Sequence, residues 1–135
     1  MATSPRFTKT IQAVPIVTLT DTTLTTVLAT SATDRRITQI TATSDDTSAQ
    51  TLTLYISDGI TDMLMGAVSI PAASGQAIAT PAIDVMTALT SVFKEFDPTG
   101  LPIANIAAGV TIKAKMVAIT GGKKVYIRVK AELYD

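Results

Sequence analysis

Apolar and polar residues alternate along most of this chain with a period of two, the period of a strand with one face buried. The stretch Arg35–Gly59, "RRITQITATSDDTSAQTLTLYISDG", reads as two Thr-rich strands joined by a polar turn. Applied throughout, the pattern predicts strands at Ile11–Leu19, Leu24–Thr30, Arg35–Thr43, Thr51–Ser57, Met63–Ile70, Ile103–Ala107, Val110–Ile119 and Lys124–Leu133, with a weak one near Gln76–Thr80. Short strands in series with turn signals between them indicate an all-β sandwich or barrel. Pro15 falls inside the first run and either confines it to a sheet edge or splits it at a bulge. Met1–Thr10 is polar, contains Pro5 and has no period, so residues 1–10 are expected to form an extended arm and residues 11–135 one domain.

One segment breaks the period. In "TPAIDVMTALTSVFKEF", Val85, Met86, Leu89, Val92, Phe93 and Phe96 recur at spacings of three and four, which is helical. Thr80 as N-cap, Pro81 in the first turn and the stop signal "DPTGLP" predict a short helix over residues 81–96. The alternative is irregular chain with a single helical turn.

Two hairpins follow from the same pattern. Pairing Ser57 with Met63 sets Ile56 opposite Leu64, Leu54 opposite Gly66 and Leu52 opposite Val68, and leaves Tyr55 opposite Met65 on the other face. At "TGGK", Gly121 and Gly122 suit a tight turn that sets Ala118, Met116, Ala114 and Ile112 opposite Val125, Ile127, Val129 and Ala131. The reverse face of that second hairpin would place Lys115 opposite Arg128 and Lys113 opposite Lys130. Like charges directly opposite on a sheet are unfavourable. Either solvent screens this basic ladder or carboxylates of a neighbouring subunit meet it, which makes Lys113, Lys115, Lys124, Arg128 and Lys130 candidate protein-interface residues. From Ile37 to Phe93 the bias is opposite: five aspartates and no Lys or Arg.

Composition narrows the function. The chain has 135 residues, enough for one core, and is 47% hydrophobic but 4% aromatic. Thr makes up roughly a sixth of it and suits a stiff, half-wetted pleated surface. Eleven basic and eleven acidic residues balance, so no overall field draws in nucleic acid or an anionic membrane. The N-terminus lacks the apolar run of a signal peptide and no stretch reaches membrane-span length, which predicts a soluble chain made in the cytoplasm.

The chain has no Cys and no His. Disulfides, thiolate metal sites and Ser-His-Asp or Cys-His nucleophiles are therefore impossible. Catalysis by two carboxylates alone survives the inventory. The clusters Asp45–Asp46 and Asp58/Asp62, however, sit in turn contexts where Asp caps backbone N–H groups, and neither has a calcium-loop spacing. "TGGKK" lacks phosphate-loop spacing and leads into a strand. Met63, Met65 and Met86 read as gap-fillers in the core, and Tyr126 alone among the cations makes a poor single-strand nucleic-acid platform. No catalytic residue, metal ligand or cofactor is expected.

The stretch "RITQITATSDDTSAQTLTLYISDGITDMLMGAVSIPAASG", followed by "TPAIDVM", "GLPIANIAAGVTIKA" and a closing hairpin, resembles small Thr/Ala-rich virion proteins of tailed bacteriophages. The resemblance covers roughly Arg35–Leu133. It implies a jelly-roll-like antiparallel β-sandwich that decorates or cements a capsid from outside, with the major capsid protein and copies of itself as partners, a trimer ahead of a dimer. It implies a place on the virion surface, without nucleic acid or membrane. The competing expectation is a binding module of a phage tail, fibre or baseplate, or an adhesin-like domain; with three Tyr, three Phe and no Trp, its carbohydrate-reading version is poorly supplied.

Overall fold

The computed structural model describes residues 8–76, 78–89, 95–96 and 98–134. Its elements are β1 (Thr8–Gln12), β2 (Val17–Leu19), β3 (Thr25–Leu28), β4 (Arg35–Ser44), β5 (Gln50–Ser57), β6 (Asp62–Ile70), β7 (Ile83–Asp84), α1 (Val85–Ala88), β8 (Glu95–Phe96), β9 (Pro102–Ile106), β10 (Thr111–Met116) and β11 (Val125–Tyr134). Thr8–Thr10, the end of the expected arm, lie in β1; residues 1–7 fall outside the described residues.

Two antiparallel sheets pack face to face. One runs β1–β11–β4–β9–β8, with β2 also on β11 and β7 on β4; the other runs β3–β10–β5–β6. β1 and β2 lie end to end along β11, and Pro15 stands between them, since it has no N–H for the ladder. If these two are counted as one broken strand, each step between the main strands crosses to the opposite sheet except β5 to β6 and the short strands beside β9. That interleaving is the jelly-roll arrangement of a sandwich. The core is what the alternation places inside: Ile37, Ile40 and Ala42 of β4 and Val125, Ile127, Val129 and Ala131 of β11 face Leu52 and Leu54 of β5 and Ile112, Ala114 and Met116 of β10. Each large side chain among them contributes about 1.5–3 kcal/mol by leaving water.

The interleaving overturns the second hairpin. Thr120 and Lys123 do close a turn, with Lys123 N–H donating to the Thr120 carbonyl at 3.0 Å. The strands on either side then part: β10 pairs with β5 and β3, and β11 with β4, β1 and β2. The two apolar sets do meet, but across the sandwich, roughly 10 Å apart, and not side by side within one sheet.

The first hairpin is real and carries one correction. Leu54 pairs with Gly66, Thr53 with Ala67 and Leu52 with Val68, as expected. Nearer the turn the register slips: Tyr55 pairs with Leu64, Ile56 with Met63 and Ser57 with Asp62. Met65 is the extra residue of a β-bulge, which turns it inward while Met63 and Leu64 stay exposed.

The helix is shorter than predicted. α1 is one turn, capped by Asp84, whose carboxylate accepts from Met86 N–H, and not by Thr80. At Leu89 the backbone is already extended (ψ 131°). Val85, Met86 and Leu89 are buried as the period required, whereas Phe96 lies exposed in β8, and Val92 and Phe93 fall outside the described residues. The weak strand near Gln76–Thr80 is a turn closed by Gly75 N–H on the Thr80 carbonyl; Ala77 lies outside the described residues.

Candidate functional site

The structure does not bring the five candidate cations together. Lys113 and Lys115 project from the outer face of the β3–β10–β5–β6 sheet, Arg128 and Lys130 from the outer face of the other, and Lys124 sits at the β10–β11 turn. The basic ladder is absent because its two strands belong to different sheets. Lys113 is instead opposite Tyr55 and Lys115 opposite Thr53, and Arg128 is opposite Thr41 and Lys130 opposite Gln39. Lys113 Nζ lies 3.4 Å from Asp62 Oδ1, and Lys115 Nζ lies 5.7 Å from the centroid of the Tyr55 ring. Arg128 and Lys130 have no carboxylate partner among the described residues.

The aspartates expected in turns are used there. Asp58 Oδ1 accepts from Ile60 N–H at 2.9 Å and Thr61 N–H at 2.8 Å, and these bonds hold its pKa below the ordinary value, Thr61 contributing most. Asp62 is lowered chiefly by the Ser57 hydroxyl and then by Lys113. Asp45 accepts from Lys124 N–H at 2.6 Å. Among the described residues no group of three carboxylates gathers as a metal site would require.

Two buried charges stand at opposite ends of β4: Asp46, expected as a turn cap, caps Ser48 N–H but is also buried, and Arg35 was not singled out by the sequence. Asp46 accepts four hydrogen bonds: from Thr120 N–H at 2.9 Å, Thr120 hydroxyl at 2.7 Å, Ser48 N–H at 3.0 Å and the Gln50 amide at 3.3 Å. The Thr120 bonds do most to hold its pKa at about 2. Its own carbonyl accepts from Ala73 N–H, so one residue ties the β4–β5, β6–β7 and β10–β11 connections. At the other end Arg35 is fully buried. Its guanidinium donates to the carbonyls of Ala29 and Val110, both at 2.7 Å, and to Gln12 Oε1 at 3.3 Å, while Nε has no partner. Since Ala29 follows β3 and Val110 precedes β10, Arg35 ties its own sheet to the other one.

The concavities are shallow. A recess of about 410 Å³ beside Asp34, Asn105 and Tyr134 is crossed by bonds from Tyr134 hydroxyl to Asn105 Oδ1 and from Asn105 Nδ2 to Glu95, and Asp34 accepts from Ala108 N–H. A groove of about 620 Å³ lies between residues 11–15 and Arg128–Lys130. Neither sets a nucleophile beside a base. Among the described residues no helix is long and apolar enough to cross a membrane.

Comparison of the chain with protein-family models, with curated proteins and with solved structures finds no match.

Proposed function

We propose that this chain is a structural virion protein that decorates or cements the outer surface of a bacteriophage capsid, working through protein–protein contacts with the major capsid protein and with copies of itself. The observation that carries the reading is where its most telling stretch lies. The residues quoted for the resemblance, Arg36–Gly75, fold as β4 and the β5–β6 hairpin of a jelly-roll-like sandwich, the architecture that the resemblance implies. The disposition of polar groups supports it as well. Arg35 and Asp46 are spent on tying the ends of the sandwich, and the outer faces carry Thr, Lys and Gln, a broad surface suited to docking.

Cryo-electron microscopy of purified particles made with and without the chain tests this. Regular density on the capsid face that disappears with the chain is the expected result. Density confined to the tail would replace the reading with that of a tail, fibre or baseplate module, and particles that lack the chain would remove both.

A further inference from the structure

The β5–β6 turn holds up an apolar side chain that packing within the chain does not use. Ile60 is 93% exposed, and Met63 and Leu64 just beyond it are about half exposed. The turn beneath is rigidly built: Asp58 Oδ1 holds the N–H groups of Ile60 and Thr61, and Ser57 hydroxyl accepts from Gly59 N–H at 3.1 Å. An exposed isoleucine on a preorganised turn loses little entropy when it docks. The tip is also acidic. Asp62 shares its charge with Lys113, but both turn bonds of Asp58 go to Oδ1, and Oδ2 has no partner among the described residues.

A surface of opposite character lies elsewhere on the molecule. Where Pro15 breaks the first strand, β11 has no strand neighbour on that side between Arg128 and Lys130, because β2 pairs up to Ile127 and β1 from Ala131 onward. The groove left there is flanked by Arg128 and Lys130, which have no carboxylate partner among the described residues, and by the exposed Ile11. It is basic and apolar, and the tip is acidic and apolar.

We propose that the β5–β6 tip of one copy docks into the Arg128–Lys130 groove of a second copy, a head-to-tail contact between unlike surfaces. The tip packing on its own two-fold mate is disfavoured, since that would gather Asp58 and Asp62 of both copies around two Lys113 ammonium groups. A head-to-tail contact gives a ring where its rotation closes and an open filament where it does not, and the product proposed is the ring. A stable pairwise interface takes about 800 Å² from each partner, roughly a tenth of this chain's 7532 Å². One turn and one groove fall short of that, so a single contact is weak and ring closure, which gives every copy two contacts, makes it persist. This deepens the reading of the chain as a self-assembling protein and concerns copies free in solution.

The test is sedimentation velocity on the full chain at about 100 μM, some hundredfold above a micromolar dissociation constant. The parent should form a discrete oligomer that dissociates as salt is raised. Ile60→Lys, which removes the apolar contact and repels the groove, and the double variant Arg128→Glu/Lys130→Glu should each be monomeric with unchanged circular dichroism and melting, all three positions being exposed. An equimolar mixture of the two variants keeps one intact tip and one intact groove, which cannot close a ring, and should give nothing larger than a 1:1 dimer. A parent that is monomeric or polymerises without limit, a variant that still assembles, or a mixture that forms the parent's oligomer would each overturn the proposal. Particle binding is not read in this experiment, so failure of the capsid reading and failure of this contact are separable.

Discussion

Replacing Arg35 by Met tests whether the sandwich depends on a buried cation that forms no ion pair among the described residues. Met keeps an unbranched apolar stem in a site with no exposure, so packing is largely retained and the polar change dominates. The variant leaves the Ala29 and Val110 carbonyls, each now bonded at 2.7 Å, without those donors in a partly buried place. Each stranded acceptor costs about 1–3 kcal/mol, or about 2–6 kcal/mol for the pair. Against this, the variant no longer buries a guanidinium whose Nε has no partner, a relief of about 1–3 kcal/mol. The balance is a loss of about 2 kcal/mol, which for a chain of this size lowers Tm by about 6–10 °C. Arg35→Lys should fall between parent and Met variant, because one ammonium head does not fork between two carbonyls as a guanidinium does. Thermal melting and urea unfolding at neutral pH measure both. A Met variant that melts at or above the parent would refute the reasoning: relief of the buried charge would then outweigh the tie between sheets.

Asp46, with a folded-state pKa of about 2 against an ordinary 3.8, contributes stability that is present above pH 4 and lost as pH falls from about 4 to 2. Asp46→Asn should therefore melt lower than the parent at pH 7 and show a flatter pH dependence across that acid window; parallel curves would show that Thr120 does not hold the carboxylate. Gly59→Ala and Gly75→Ala should separate two costs, since both glycines have positive φ (+92° and +79°), but a Cβ at Gly59 meets open space and one at Gly75 would lie 2.6 Å from the Thr43 methyl. Melting should show a loss of about 1 kcal/mol for the first and clearly more for the second.

The period-two pattern located the main strands to within a few residues, because a strand with one wet and one dry face writes its period directly into the sequence. What it cannot write is which neighbour the dry face meets. Ile112, Ala114 and Met116 would be buried opposite Val125, Ile127 and Val129 whether the two strands lay side by side or face to face. A tight Gly-Gly turn fits either geometry. The Met65 bulge escaped for a related reason: Met63, Leu64 and Met65 are all apolar, so a shift by one residue leaves no polar side chain to mark it. In "VFKEF" the helical spacing was present, but the chain leaves the helix at Leu89 before that spacing is used. Arg35 and Asp46 were legible in retrospect. Arg35 shares the inward parity of Ile37, and Asp46 continues that of Ala42 and Ser44. A charged residue on the dry parity at a strand end signals a tie between layers, though the partners that make the tie across the sandwich, Val110 and Thr120, lie more than seventy residues away and carry no mark of their own.

These two residues explain how the chain can be all surface in its chemistry and still be well specified. In a jelly roll nearly every connection spans the gap between sheets, so many loops at each end must satisfy their backbone groups away from any ladder. Here Arg35 supplies donors to loop carbonyls at one end and Asp46 supplies acceptors to loop N–H groups at the other. A cation serves orphan C=O groups and an anion serves orphan N–H groups, so neither charge needs the other and they need not pair. With the ends fastened in this way and the middle held by aliphatic side chains, the outward residues of β4, β5, β10 and β11 have few folding duties. Their Thr, Lys, Arg and Gln content can then answer to whatever the faces touch. Substitutions there should leave melting nearly unchanged, whereas substitutions at Arg35 or Asp46 should lower it.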